Sequence, residues 1–580
     1  MSVLAGFDGF IEVTRQEWQV PGIAVAAIRD GEVVFSSGFG SRDVERDLPV
    51  TSKTLFPLAS VTKSFTATAM ALLVDDGVVE WDTPVKEYLP DFELYDSELT
   101  DRVTPRDLLS HRTGLPRHDA AWFNRPIERS DLMQLLRFLQ PNAELRSTYQ
   151  YSNLMFMVAG QLIGTVAGST YEDFVRSRLL EPLGMSETNF SIAESKETGD
   201  CSRGHSKRDD VVRTIPYYER QQAIGPAGMI VSNVAGLARW VRFHLADGCT
   251  EDGTRLVSPE QIRELRRIQT AYRVESIHPE EHGPAGYGLG WGIDSLHGRS
   301  LINHSGGING FSTFAAFVPE LGSGIAILVN LNQASGAFRS IAYNWFERCM
   351  GLEPIDWTAR LRNQERLDEA DGKRLADFPL TRPRSGTSLS HPLADYVGTY
   401  EHPGYGRIDI LQRDGKLGGS YNDMTFELTH HHHDVFRLVL EERGDECLVR
   451  FGAGHRGDIE SLEAPFEPLA PPIVFSRVWE HAGDRRLVGD YVLEDGRTVA
   501  IRLRDDEALT ASLPMLELRD VELVAVGPRE LALRGTDLIS FAVFYDEPDG
   551  DGPVERIYCR TEDSLRVGTR VVETAATMEA

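Results

Sequence analysis

The chain has 580 residues, 41% hydrophobic and 26% charged, an ordinary globular composition on a length too great for one core. Its 60 Lys and Arg face 88 Asp and Glu, a net charge of −28. That balance argues against nucleic acid or an anionic membrane as the main partner, because both select basic surfaces, and it also serves surface solubility.

Residues 4–19 are predicted to form an amphipathic helix. Residues 23–28 and 33–38 flank Arg29-Asp30-Gly31-Glu32, the pattern of a β-hairpin with an Asp-Gly turn. An apolar helix follows, opened by Ser60-Val61-Thr62-Lys63, with Pro57 just ahead of it, where a helix tolerates proline. Residues 76–180 read as mostly helical. Residues 300–304, 311–317 and 324–330 read as neighbouring strands, and 337–349 as a closing helix. A hairpin at the start, a helical insert and strands at the end predict one antiparallel sheet completed by both ends of an α/β (α+β) domain, residues 1–354. Residues 355–392 are expected to be a charged helix and a Pro-containing linker. Beyond them short alternating runs, such as Arg407-Ile408-Asp409-Ile410-Leu411, predict two all-β barrel domains, 393–480 and 481–580. Tyr396-Val397-Gly398-Thr399-Tyr400 returns as Leu487-Val488-Gly489-Asp490-Tyr491, so the two barrels read as a repeat.

Chemistry concentrates in three motifs. In Ser60-Val61-Thr62-Lys63, serine and lysine lie one helical turn apart on one face. A serine hydroxyl needs a neighbour to take its proton, and a lysine can serve only if its own pKa is lowered. The positive end of the helix dipole lies where an acyl oxyanion would form. Tyr151-Ser152-Asn153 stands at another predicted helix start. Near cations the phenol of Tyr151 could act as a base, and the amide of Asn153 can hydrogen-bond a lysine and a substrate carbonyl together. His304-Ser305-Gly306-Gly307 is placed at a strand end. Gly306 and Gly307 would let substrate backbone approach, the amide of Gly307 would complete an oxyanion hole with that of Ser60, and His304 would be a second cation or a hydrogen-bond partner beside Tyr151.

Taken together and in this order, S-x-x-K, Y-S-N and H-S-G resemble the serine penicillin-recognising hydrolases of the class C β-lactamase group. Asp107-Leu108-Leu109-Ser110-His111-Arg112-Thr113-Gly114-Leu115-Pro116, Leu180-Glu181-Pro182-Leu183-Gly184-Met185, Pro226-Ala227-Gly228-Met229 and Tyr287-Gly288-Leu289-Gly290-Trp291 are similar to further segments of that group. The resemblance spans about residues 5–350. It implies Ser60 as the acyl-forming nucleophile, Lys63 and Tyr151 as the proton-transfer pair with the base unassigned between them, Asn153 as an orienting residue, and a structural His111. Where true β-lactamases place lysine in K-T-G, this chain has His304-Ser305-Gly306. That version is similar to D-aminopeptidases, D-amino-acid amidases and related esterases. D-aminopeptidases also carry two C-terminal barrels and imply a barrel loop reaching the cleft. Residues 390–478 resemble the small lipocalin-like barrel appended to many such hydrolases.

The expectation is therefore a serine hydrolase cleaving amide bonds of small peptides or amino-acid amides. The alternatives are a carboxylesterase, or a β-lactamase or penicillin-binding-protein-like sensor with slow turnover. No cofactor and no metal are expected. His430-His431-His432-His433 reads as a packed or solvated turn, and the five scattered cysteines form no C-x-x-C pair. The start of the chain shows neither the basic nor the apolar region of a secretory signal, and no 18-residue apolar run occurs, so no membrane partner and a cytoplasmic location are expected. A homo-oligomer is possible on this reading.

Overall fold

The computed structural model describes residues 3–208, 211–217, 221–274, 276–376, 382–440, 445–455, 457–479, 485–504, 508–513, 518–527, 530–533, 542–545, 553–561 and 564–571. Of the linker placed within 355–392, residues 377–381 lie outside the described residues, as do parts of the second barrel. The chain divides into two compact units. The first is Met1–Arg384 with two short segments, Pro403–Gly406 and Pro465–Ile473; the second is the remainder from Ser385.

The first unit is built on a nine-stranded antiparallel sheet. In chain order its strands are β1 (Gly22–Arg29), β2 (Glu32–Asp43), β3 (Leu48–Pro49), β4 (Thr270–Ala271), β5 (Gly286–Tyr287), β6 (Gly292–Leu296), β7 (Arg299–Ile308), β8 (Phe311–Val318) and β9 (Ser323–Val329). Across the sheet the order is β3-β2-β1-β9-β8-β7-β6-β5-β4. The first hairpin turns at Asp30 (φ 52°) and Gly31 (φ 79°), both left-handed, as a two-residue hairpin of matching twist requires. Pairing of β1 with β9, from Ile23↔Val329 to Ile28↔Gly324, joins the two ends of the domain in one sheet. The β1–β9–β8 centre is covered on both faces, so its strands are continuous apolar runs rather than alternating ones.

One face packs on α1 (Phe7–Glu17) and α5 (Ser335–Met350), where the rings of Phe7 and Trp345 lie 5.3 Å apart. The other face receives α4 (Val234–Leu245) and, beyond it, α2 (Thr62–Asp75) and α3 (Asn153–Ala167). α2 is buried on every side from Thr62 to Leu73, which makes it the hub of the helical half. Trp240 of α4 stacks on Phe65 of α2 at 3.8 Å, and its indole N–H donates to Ser64 Oγ at 2.9 Å. A further helix, α6 (Trp357–Ala376), follows the domain, with Trp357 buried in the α1/α5 core.

Two boundaries differ from the sequence expectation. Ser60 does not open the helix: it sits in a 3₁₀ turn, Ala59–Val61, ahead of α2. The strand predicted over 300–304 does not stop at His304 but continues through Ser305-Gly306-Gly307. β7 runs on to Ile308, because β8 pairs with it down to Ile308↔Phe311 and supplies partners that local sequence cannot show.

The second unit contains two closed eight-stranded antiparallel barrels, one from Gly398–His402 to Ile473–Val478 and one from Gly489–Leu493 to Ser564–Arg570. The repeated motif does the same work in each. Tyr400 donates to the Tyr396 carbonyl at 3.0 Å, and Tyr491 to the Leu487 carbonyl at 2.9 Å. A last-strand arginine clamps the same turn. Arg477 donates to the carbonyls of Val397 (2.6 Å) and Asp395 (2.7 Å), and Arg570 to those of Val488 (2.6 Å) and Arg486 (3.0 Å). The four-histidine run ends a strand and begins a turn, with His430 Nε2 2.9 Å from the His433 carbonyl.

Candidate active site

The segment that carries Ser60 is held from both sides. Phe56 and Pro57 pair with Ser232 and Val231, Leu58 N–H donates to the Ile230 carbonyl at 2.7 Å, and Thr313 of β8 donates to the Pro57 carbonyl at 3.2 Å. Ala59 adopts φ 47°, a left-handed conformation that costs a non-glycine residue about 1–3 kcal/mol and persists only where its surroundings impose it. The strain sits immediately before the half-buried serine, at the start of α2, whose N-terminal N–H groups favour developing negative charge.

Lys63 is fully buried, and its Nζ has three neighbours: Asn153 Oδ1 at 2.8 Å, the Ala227 carbonyl at 2.7 Å and Ser60 Oγ at 3.1 Å. Burial, with the positive charge of Arg117 nearby, pushes Lys63 well below the usual lysine range, against the pull of Asp119. A neutral amine has two protons and one lone pair. Asn153 Oδ1 and the Ala227 carbonyl can only accept, so they take both protons. The lone pair is left for Ser60, whose hydroxyl is then the donor. The arrangement can thus remove the serine proton as the oxygen attacks a carbonyl carbon.

Tyr151 stands on the other side of Ser60, hydrogen-bonded to it. Burial pushes its phenol well above the ordinary range, and the Ser60 hydrogen bond and Arg117 only partly offset this. It is therefore a protonated phenol at neutral pH, suited to donating a proton before accepting one. Lys63 Nζ lies 4.7 Å from its ring centroid. His111, at φ 57°, packs its ring 4.2 Å from that of Tyr151, and its Nδ1 accepts from the Ser152 N–H at 3.1 Å, pinning the start of α3. Burial holds His111 well below the ordinary histidine range.

His304 does not supply a second cation. Burial and the Lys63 charge push it down to about 3, against the pull of its bond to the Ser305 carbonyl. Its Nδ1 donates to that carbonyl at 2.6 Å, so Nε2 accepts, and the donor is the Tyr287 hydroxyl at 2.8 Å, not Tyr151. The rings of His304 and Tyr151 are 6.5 Å apart. The two glycines also divide. Gly306 is pressed on the nucleophile turn: a Cβ there would lie 2.4 Å from the Leu58 carbonyl oxygen and 3.1 Å from Ser60 N. A Cβ at Gly307 would meet nothing within 4 Å, leaving open space along that side of the strand.

Several residues at the site escaped the sequence reading. Ala227 contributes through its backbone, which no residue type announces. Tyr287 lies in a segment noted only for its likeness. Arg117 and Asp119 follow directly on Gly114-Leu115-Pro116; two opposite charges two apart after that segment were the available signal. Asp119 Oδ1 accepts from Asn153 Nδ2 at 3.1 Å, which fixes the direction of the amide that holds Lys63, and Asp119 Oδ2 pairs with Arg117. Among the described residues no group of three or more His, Cys, Asp or Glu side chains is placed to hold a metal ion. Also among them, no single helix is long and apolar enough to cross a membrane.

Comparison with known proteins shows the family. A family profile described as Beta-lactamase matches residues 7–349, and one described as a domain of unknown function, DUF3471, matches 382–477. An unguisins hydrolase of Aspergillus campestris is 32% identical over 69% of this chain and 77% of its own length. Penicillin-binding protein 4 of Amycolatopsis lactamdurans is 28% identical over 57% of this chain and 86% of its own. Among solved structures, the octameric penicillin-binding protein homologue from Pyrococcus abyssi superposes with a TM-score of 0.55 at 23% identity, over 82% of this chain and all of that one.

Proposed function

The chain belongs to the beta-lactamase family of serine hydrolases, and from that premise we propose that it hydrolyses amide bonds of small peptides or amino-acid amides, in the manner of a D-aminopeptidase, through an acyl-enzyme on Ser60. Lys63 takes the Ser60 proton as Oγ adds to the amide carbon. The oxyanion rests on the amide of Ser60, in the turn ahead of α2, and that of Gly307 on β7. Tyr151 gives its proton to the departing amine and recovers one from Lys63, and water then repeats the attack on the ester. Asn153 keeps Lys63 aimed, and His304 acts on the pocket as a neutral hydrogen-bond partner of Tyr287. The observation that carries this reading is the placement of the buried Lys63 Nζ 2.8 Å from Asn153 Oδ1 and 2.7 Å from the Ala227 carbonyl, with Ser60 Oγ at 3.1 Å on the remaining side.

Turnover of D- and L-aminoacyl amides, short p-nitrophenyl esters and nitrocefin tests it. Amide hydrolysis lost in Ser60→Ala supports the reading. Ester turnover without amide turnover points to a carboxylesterase, and a fluorophosphonate label at Ser60 with no turnover of any substrate points to a sensor. We further propose a cytoplasmic homo-oligomer without nucleic acid or membrane partners; the octameric homologue supports the assembly, and light scattering on the purified chain reads it.

A further inference from the structure

The described charges around Ser60 are unequally free to meet a substrate. Lys63 is buried with its protons committed, and His304 carries no charge at neutral pH. The carboxylates are engaged. Asp119 receives Asn153 Nδ2 (3.1 Å) and Trp122 Nε1 (3.2 Å) on one oxygen, and Arg117 Nε (2.7 Å) and Nη2 (2.6 Å) on the other. Glu467, buried within the same unit, accepts the backbone N–H groups of His118 (2.8 Å) and Leu469 (3.1 Å). None of these is poised to receive a substrate ammonium.

Arg117 differs. Its side chain is 50% exposed, and its guanidinium carbon lies 5.1 Å from the ring centroid of Tyr151, the phenol bonded to Ser60. Asp119 grips only the Nε and Nη2 edge, and so orients the fork rather than using it up. The segment behind it is rigid: His118 sits at φ 46°, with its Nδ1 2.6 Å from the Tyr405 hydroxyl and its Nε2 donating to the Gln140 carbonyl at 3.0 Å. A guanidinium keeps its charge at any working pH and matches a carboxylate in two hydrogen bonds.

We propose that Arg117 is the anion receptor of this site, selecting short peptides with a free carboxylate close to the scissile amide over the corresponding peptide amides and over simple amino-acid amides. This rests on the Ser60 hydrolase reading and departs from its aminopeptidase manner, which would need a receptor for the substrate ammonium. Asp119 is a positioning residue for Arg117 and, through its other oxygen, for Asn153.

The test compares both enantiomers of N-acetyl-alanyl-alanine with their C-terminal amides, on wild type, Arg117→Gln, Arg117→Lys and Ser60→Ala. Two quantities are read: kcat/KM, and protection of Ser60 from fluorophosphonate labelling. In wild type the acid is favoured about tenfold or more over the amide, the scale of one charge-assisted hydrogen bond. Arg117→Gln brings that ratio to about one, and Arg117→Lys retains part of it, since a point charge replaces a fork. A wild-type ratio near one in protection and turnover, or a ratio unchanged in Arg117→Gln, overturns the inference while Ser60-dependent hydrolysis leaves the parent reading standing. Hydrolysis persisting in Ser60→Ala removes both.

Discussion

A single methyl group added at Gly306 strikes the nucleophile turn. The new carbon would lie 2.4 Å from the Leu58 carbonyl oxygen, 3.0 Å from Ala59 Cβ and 3.1 Å from Ser60 N. Non-bonded atoms settle near 3.5 Å, so relief requires strand and turn to separate by roughly 1 Å. Neither gives easily. β7 is tied to β8 from Ile302↔Phe317 to Ile308↔Phe311, and the turn is tied to Ile230 through Leu58. Overpacking of this kind costs about 1–3 kcal/mol of stability. A 1 Å displacement of the attacking oxygen costs about 10²-fold in rate. Gly306→Ala is therefore expected to unfold at lower urea and to react with a fluorophosphonate about 10²-fold more slowly at Ser60, with mass spectrometry locating the label. Gly307→Ala is the matched control for stability, because its Cβ meets nothing within 4 Å. A Gly306→Ala protein that labels at the wild-type rate refutes the claim that this strand sets the position of the nucleophile.

Lys63→Met, which keeps the length and removes the lone pair, is expected to slow acylation by about 10²–10⁴-fold in stopped-flow labelling; an unchanged rate would remove Lys63 as the base. The pH-rate profile carries the same signature. The base works only when unprotonated, so kcat/KM rises with pH through the lowered pKa of Lys63 and levels below the ordinary lysine range; a limb centred near 10 would contradict it. Burial also holds His244 neutral, with Arg266 adding to the effect. The unfolded chain accepts a proton there below about pH 6.5 that the folded chain refuses, so stability falls as pH drops, by about 1.4 kcal/mol per pH unit. His244→Phe should flatten the pH dependence of the urea-derived stability as pH falls below 6.5, and equal slopes would refute it. Tyr400→Phe leaves the Tyr396 carbonyl without its donor and is expected to cost the first barrel about 1–3 kcal/mol by circular dichroism, with Tyr491→Phe doing the same to the second; unchanged midpoints would show that the repeat has no shared clasp.

Much of the fold was legible because its signals are local. The Asp30-Gly31 turn needs two left-handed residues, and the chain supplies types that accept them. The alternation after residue 393 follows from barrel strands with one face inside. The 91-residue echo was visible because both barrels close on the same tyrosine and arginine hydrogen bonds. The end of β7 was missed because its last residues are held by β8 rather than by their own composition. In the site, Ser60 and Lys63 could be paired from their spacing alone, since three positions on a helix are one turn. Arg117 and Asp119 could not be placed: their meaning lies in contacts with Tyr151 and Asn153, more than thirty positions away.

By itself the order of residues determined which side chains could do acyl chemistry, since nucleophile, amine, phenol, amide and imidazole are a matter of residue type. Their charge states were decided only by the tertiary structure. The energy of an ion depends on how much water surrounds it and which charges stand nearby, and folding alone buries Lys63 against two carbonyls, keeps His304 neutral beside Tyr287, and leaves Arg117 as the half-exposed cation over the ring of Tyr151.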